Sequence, residues 1–199
     1  MAAIILAGGQ SRRFGSDKAL VPIGGVPLIE RVMDAAEAAC PCVFIIANEP
    51  EKYVRYKSRA EILRDEIPDQ GPLGGLYTGL LASPDIDNIL LPCDAPFISP
   101  DLIRLVLDNL SDSDAVVPRY GGRDHTALAG YSETCLAAVE KSLSAGRLRL
   151  VDFFDFVQVK YLDDDTIDKT DPGGHSFINV NTREDAERAE IIAATMTGG

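Results

Sequence analysis

No stretch of this 199-residue sequence stays apolar long enough to cross a bilayer, and no basic residue precedes the short run Ala2 to Ala7. That shortness argues against both a signal peptide and a membrane span, so the expectation is a cytoplasmic chain with no membrane partner. Positive charge is scarce too: 19 Lys and Arg stand against 31 Asp and Glu, for a net charge of −12. Nucleic-acid binding depends on neutralising backbone phosphates, so no nucleic-acid partner is expected. The four cysteines, Cys40, Cys42, Cys93 and Cys135, contain no C-x-x-C pair, and Cys40 and Cys42 straddle a proline, a poor clamp for one metal ion. They read as reduced, structural thiols. Neither G-x-x-x-x-G-K-[ST] nor G-x-G-x-x-G occurs, which argues against a P-loop ATPase and a dinucleotide dehydrogenase. Internal repeats, low-complexity tracts and linkers are missing as well. Residues 1–199 therefore read as a single domain, whose 46% hydrophobic content suffices for a sizeable core.

What is present alternates between two periodicities. Residues 3 to 7 form an apolar run that ends at Gly8-Gly9, as a buried parallel strand does when it enters a loop. A helix is expected from Pro27, with Leu28, Ile29, Val32, Met33 and Ala36 on one face. A strand over 43–47, a helix and a short strand at Ile62 and Leu63 follow, then a helix opened by Gly71-Pro72-Leu73-Gly74-Gly75 and a strand over 88–93. Ser99-Pro100-Asp101 signals a helix start: N-cap serine, proline in the first turn, an early acid. Further strands are expected at 115–117, 126–131 and 157–162, with helices over 133–143 and 148–156; 163–174 reads as an acidic loop. After 177–180, Thr182 and Asp185 have the spacing of a capping box for a last helix. This order predicts an α/β fold, a three-layer Rossmann-like, mainly parallel sheet with helices on both faces. Ligands in such sheets bind beyond the carboxyl ends of the strands, so the loops after Ala7, Ala47, Leu63 and Cys93 should converge on one crevice.

The cations cluster in three loops: Arg12, Arg13 and Lys18; Arg119 and Arg123; Arg147 and Arg149. An acidic protein with a local basic loop can still bind a small polyanion. In the first loop, paired glycines after a strand let backbone N–H groups turn toward an anion, while Arg13 and Lys18 supply charge. A plain turn is the alternative. Asp94, where a buried strand leaves the sheet, offers a hard oxygen suited to Mg²⁺, or else caps the turn that follows.

Four motifs occur in order along the chain: L-A-G-G-x-S-x-R-x-G-x-D-K from Leu6, G-P-L-x-G-L from Gly71, P-C-D-x-P-F from Pro92, and F-x-N-V-N-T from Phe177. Together they resemble the molybdenum cofactor guanylyltransferases, members of the nucleotide-diphospho-sugar transferase-like superfamily, over nearly the whole length. The resemblance implies that molybdopterin, through its terminal phosphate, attacks the α-phosphorus of GTP, with Mg²⁺ as cofactor and pyrophosphate leaving. Recipients of the product would be molybdoenzyme apoproteins or their chaperones. Carried over by position, Leu6, Ala7, Gly8 and Gly9 hold the nucleotide, Lys18 contacts its phosphates, and Asp65, Asn48 and Gly71 contribute to the GTP site. Asp94 matches the Mg²⁺ ligand, and Lys18, Arg13 and Asp94 form the catalytic set. Asn179 and Asn181 match a pair on the pterin side, or fix a strand-end turn.

Two positions depart from the family pattern. Asn48 stands alone where relatives carry Asn-x-Asn, and Phe14 replaces a commoner Met. Arg123-Asp124-His125 is similar to a pterin-side loop but continues with Thr126 where proline is usual, so His125 is a ligand contact or a structural histidine; His175 is left without a role. Glycines 71 to 75 are expected to let backbone approach the guanine base, because a Cβ would intrude. A cytidylyltransferase for the same pterin, or a sugar-1-phosphate or phospholactate nucleotidyltransferase, keeps the chemistry with other substrates. An idle GTP-binding adaptor is the alternative of another class, and the presence of Lys18 and Asp94 argues against it.

Overall fold

The computed structural model describes residues 1–7 and 17–197. Strand β1 (Ala2–Leu6) leads to a 3₁₀ turn at Lys18–Leu20 and a small hairpin of β2 (Pro22–Ile23) and β3 (Val26–Pro27). Next come α1 (Leu28–Ala39), β4 (Cys42–Ala47), a 3₁₀ helix Pro50–Tyr56, β5 (Glu61–Arg64), α2 (Gly71–Ala82), β6 (Asp87–Pro92) and α3 (Pro100–Asp108). The second half carries β7 (Ala115–Tyr120), β8 (Arg123–Asp124), β9 (Ala129–Ser132), α4 (Leu136–Ser144), a 3₁₀ helix Leu150–Phe156, β10 (Val159–Leu162), α5 (Asp164–Ile167) and α6 (Arg183–Thr197).

The sheet runs β10-β7-β9-β6-β1-β4-β5, with β8 added to β7. β1 lies parallel to both β4 and β6, β4 to β5, and β10 to β7; β9 is antiparallel to its neighbours β6 and β7. Burial on both faces explains the unbroken apolar run of β1. Ala3 and Ile5 pack with α1 and α3 on one side, Ala2 and Ile4 with α2 and α4 on the other, and all four are fully buried. The fold expectation therefore holds. No helix among the described residues is long and apolar enough to cross a membrane.

Two glycines set how closely α2 approaches the sheet. A Cβ on Gly79 would press into the Ile4 side chain, and one on Gly75 would lie 2.6 Å from Leu6 Cδ2. Gly74 is confined by the Ile67 carbonyl, 2.8 Å from where its Cβ would stand. The expectation that glycines 71 to 75 serve a ligand is thus corrected for Gly74 and Gly75, whose bare backbones are required by protein contacts. Gly71 differs: its φ of 62°, two residues after Asp69 at φ 65°, turns the chain into α2.

The helix signals hold where side chains close them. Ser99 Oγ accepts from Asp101 N at 3.2 Å, and Thr182 and Asp185 form the reciprocal box at 3.1 and 2.8 Å. Four assignments are corrected. Residues 50–56 and 150–156 wind as 3₁₀ rather than α-helix, and the strand expected from Thr126 begins at Ala129. The acidic 163–174 segment contains α5, because Asp163 accepts from Thr166 N at 3.0 Å and caps a helical turn. The cysteines are free.

Candidate active site

Register brings the strand ends to one edge. Leu6 pairs with Ile46 and Pro92, and Ile46 with Leu63, so β1, β4, β5 and β6 finish together. The residues just past them, Ala7, Asn48, Asp65 and Asp94, line a single cleft of about 450 Å³, joined by Lys18 and by Gly71 at the start of α2. The expected convergence holds for the loops after Ala47, Leu63 and Cys93 and for Ala7 itself, while residues 8–16 lie outside the described residues.

At one end Lys18 Nζ lies 2.6 Å from Asp94 Oδ2 and 2.7 Å from Asn181 Oδ1. These side chains are far apart in sequence, and the C-terminal segment brings them together. Val180 N donates to the Asp94 carbonyl at 2.8 Å, while Val180, Ala189 and Ala193 bury against Ile23, Leu28 and Phe97. Asn181 is carried in beside its neighbour. Asp94 lines the cleft with its Oδ2 on the Lys18 ammonium, and no hydrogen bond to its Oδ1 occurs among the described residues.

At the other end Asp65 is fixed by its neighbours: its Oδ1 accepts from Thr78 Oγ1 at 2.8 Å and from Ile67 N at 3.1 Å. Asn48 is exposed, and its carbonyl accepts from Arg64 Nη1 at 2.6 Å. Leu6 forms part of the floor against Gly75, and Ala7 N donates to the Ile46 carbonyl at 2.9 Å. Asn179 and Asn181 are both exposed and outside the cleft lining, and Asn181 reaches the site through its bond to Lys18 Nζ. Gly8, Gly9 and Arg13 lie outside the described residues, as does Phe14. His125 is fixed by structure: its ring packs tilted against Phe177 with centroids 4.1 Å apart, its Nε2 lies 3.2 Å from the Tyr120 carbonyl, and burial holds its pKa below 6.5. Of the remaining cations, Arg119 pairs with Asp124 and lies over the Tyr161 ring, and Arg149 pairs with Asp152.

Several residues of the cleft received no role from the sequence. Asp17 and Asp69 add carboxylates, and Ala127 and Cys93 add apolar wall. Burial, followed by the charge of Asp94, pushes the Cys93 thiol up to about 12, so it stays protonated and is no nucleophile. Asp17 sits inside the first motif and was within reach of sequence reasoning; Asp69 carries no local signature.

The donor set around Asp94 fits Mg²⁺. Among the described residues no group of three or more His, Cys, Asp or Glu could hold a metal, which excludes a cage built wholly from such side chains. Mg²⁺ commonly takes one or two carboxylates and completes its shell with water and substrate phosphates. Asp94 matches that pattern as a part-exposed carboxylate on the cleft wall.

The model of the MobA-like NTP transferase domain matches residues 3–156. A molybdenum cofactor guanylyltransferase of Desulfosudis oleivorans is 33% identical over 94% of this chain and 93% of its own length. One of Syntrophotalea carbinolica is 34% identical over 94% and 89%. The molybdopterin-guanine dinucleotide biosynthesis protein A of Archaeoglobus fulgidus superposes with a TM-score of 0.82 at 26% identity, covering 98% of this chain and all of that one. The chain belongs to the MobA-like NTP transferase family, as a relative of the molybdenum cofactor guanylyltransferases.

Proposed function

We propose that the protein transfers GMP from GTP to molybdopterin, forming the guanine dinucleotide and releasing pyrophosphate. The observation that carries the reading is the meeting of Lys18 and Asp94 in a cleft at the strand ends, with Asn181 bonded to the same ammonium. The cleft can hold a nucleotide: about 450 Å³ falls in the range of small-molecule sites. Nucleotidyl transfer asks chiefly for positioning and charge neutralisation, and a site with no exposed histidine or thiolate is equipped for that rather than for covalent catalysis.

Leu6, Ala7, Asn48, Asp65 and Gly71 line the nucleotide end, and Gly8 and Gly9 belong there by sequence. Guanine presents a ring N–H and an amino group on one edge, which suits carboxylate and carbonyl acceptors such as those of this wall. Lys18, with Arg13 by sequence, offsets charge on the leaving pyrophosphate. Asn181 orients the ammonium from the acceptor side, and Asn179 extends that side toward the pterin. The described wall holds four carboxylates, Asp17, Asp65, Asp69 and Asp94, against Lys18, so a triphosphate needs more positive charge than it supplies. Asp94 is the residue to hold Mg²⁺, which when bound neutralises the phosphates and polarises the reacting phosphoryl group.

Purified protein incubated with GTP, Mg²⁺ and molybdopterin, followed by mass analysis, tests the reading. The guanine dinucleotide of the pterin is the expected product; the cytosine dinucleotide alone when CTP is supplied beside GTP, or no dinucleotide from either nucleotide, overturns the reading.

A further inference from the structure

Tyr53 lies in the 3₁₀ helix after β4, only 1% exposed, and its hydroxyl stands 2.9 Å from the Ala7 carbonyl and 2.9 Å from Asp17 Oδ2. A phenol has one proton, so two acceptors at equal distance share it in a three-centre bond. The acceptors flank residues 8–16 in sequence. Ala7 is the fixed one, buried and bonded into the sheet through Ile46. Asp17 is the tethered one, and its second oxygen, Oδ1, accepts from Ala19 N at 3.2 Å, capping the turn Lys18–Leu20. Tyr53 thus anchors that turn to the end of β1.

We propose that Tyr53 is a positioning residue for nucleotidyl transfer, setting the place of Lys18 through Asp17; the inference rests on the function proposed above. Lysine carries its charge on a flexible four-carbon stem, so where the ammonium points depends on where its backbone is held. The Lys18 backbone is held by a turn whose cap is Asp17, and the one buried side-chain donor to Asp17 among the described residues is Tyr53. Lys52 Nζ, 3.9 Å from Asp17 Oδ2 and well exposed, adds a weaker hold. Burial and then the charge of Asp17 raise the Tyr53 pKa well above that of a free phenol, so the hydroxyl remains a donor throughout the working pH range. Misplacing a catalytic group by about 1 Å can cost roughly 100-fold in rate.

The test is a double-mutant cycle of Tyr53→Phe, which removes one oxygen and keeps the ring, with Lys18→Ala. Turnover of GTP and molybdopterin and thermal unfolding are measured for all four proteins. Tyr53→Phe should lower kcat by about tenfold or more, leave KM for molybdopterin within about twofold, and cost little further once Lys18 is gone. A merely structural role predicts the same penalty in both backgrounds. Asp17→Ala cuts the tether from its part-exposed end, should give the same non-additive loss, and carries the test if Tyr53→Phe fails to fold. Wild-type kcat in the folded Tyr53→Phe protein, or penalties that add, overturns this inference alone. Unchanged kcat in Lys18→Ala overturns the functional reading and this inference with it.

Discussion

Replacing Lys18 by alanine should separate catalysis from stability by a wide margin, and the structure sets both magnitudes. The side chains of Lys18 and Asp94 are 15% and 21% exposed, between a surface pair worth about 0–1 kcal/mol and a fully buried one whose breaking costs about 3–5 kcal/mol. The pair faces a cleft of about 450 Å³, so water enters and solvates the orphaned carboxylate. That places the stability loss near the low end, about 1 kcal/mol, or roughly 2–4 °C in Tm for a chain of this size. Charge that acts on the leaving pyrophosphate is worth more: removing one preorganised donor from a transition state typically costs about 100- to 1000-fold in kcat, some 2.7–4 kcal/mol. Ground-state GTP feels less of it, so KM should rise by less than about tenfold. The assay is pyrophosphate release under steady-state conditions beside thermal unfolding of the same sample, with Lys18→Arg as control. Arginine keeps the charge but its planar fork does not reproduce a point contact to both Asp94 and Asn181, so it should rescue stability more than rate. A variant whose KM alone rises, with kcat within about twofold of wild type, refutes the transition-state role.

Asn181→Ala, which removes one hydrogen-bond partner of the ammonium, should lower kcat by about tenfold, whereas Asn179→Ala should act on KM for molybdopterin and leave KM for GTP unchanged; steady-state kinetics with each substrate varied distinguishes them. Gly79→Ala forces a Cβ against Ile4, and overpacking toward the upper end of about 1–3 kcal/mol exceeds a helix-propensity gain of about 1 kcal/mol by up to about 2 kcal/mol, so Tm should fall by up to about 4–8 °C; a raised Tm contradicts the packing argument. GTP should exceed CTP in kcat/KM by about 100-fold or more, since cytosine leaves acceptors built for guanine unpaired. The half-buried His125 has a pKa below its unfolded 6.5, so the unfolded chain binds more protons just below that pH and stability falls as pH drops through this window. His125→Phe, which keeps an aromatic ring against Phe177, should flatten that part of the wild-type curve; identical curves between pH 7 and 5 oppose it.

Much of the architecture was legible because its causes are local. The apolar run of β1 announces burial on two faces, and the pairs Ser99 with Asp101 and Thr182 with Asp185 mark helix starts through side chains that bond their own backbone. Asp163 uses the same device, yet its acidic surroundings resemble a loop, so α5 was missed. The cleft was foreseeable from strand order alone. Its inner connections were not. Lys18 and Asn181 are 163 residues apart, and Tyr53 reaches partners 46 and 36 residues away, distances at which no spacing rule operates. Gly75 and Gly79 carry another lesson: glycine in a ligand-rich segment reads as backbone freedom, whereas here it reports how closely a helix lies on β1.

The most direct test of the central claim is the rate of guanine dinucleotide formation by Asp94→Asn across a Mg²⁺ titration, with unfolding followed on the same protein. The amide keeps the shape and the neighbours of the carboxylate but removes the charge that Lys18 and a divalent cation require. The account predicts a folded protein whose rate is at least about 1000-fold down and is not restored by excess Mg²⁺. A folded Asp94→Asn protein that makes the dinucleotide at near wild-type rate, with the wild-type dependence on Mg²⁺, contradicts it.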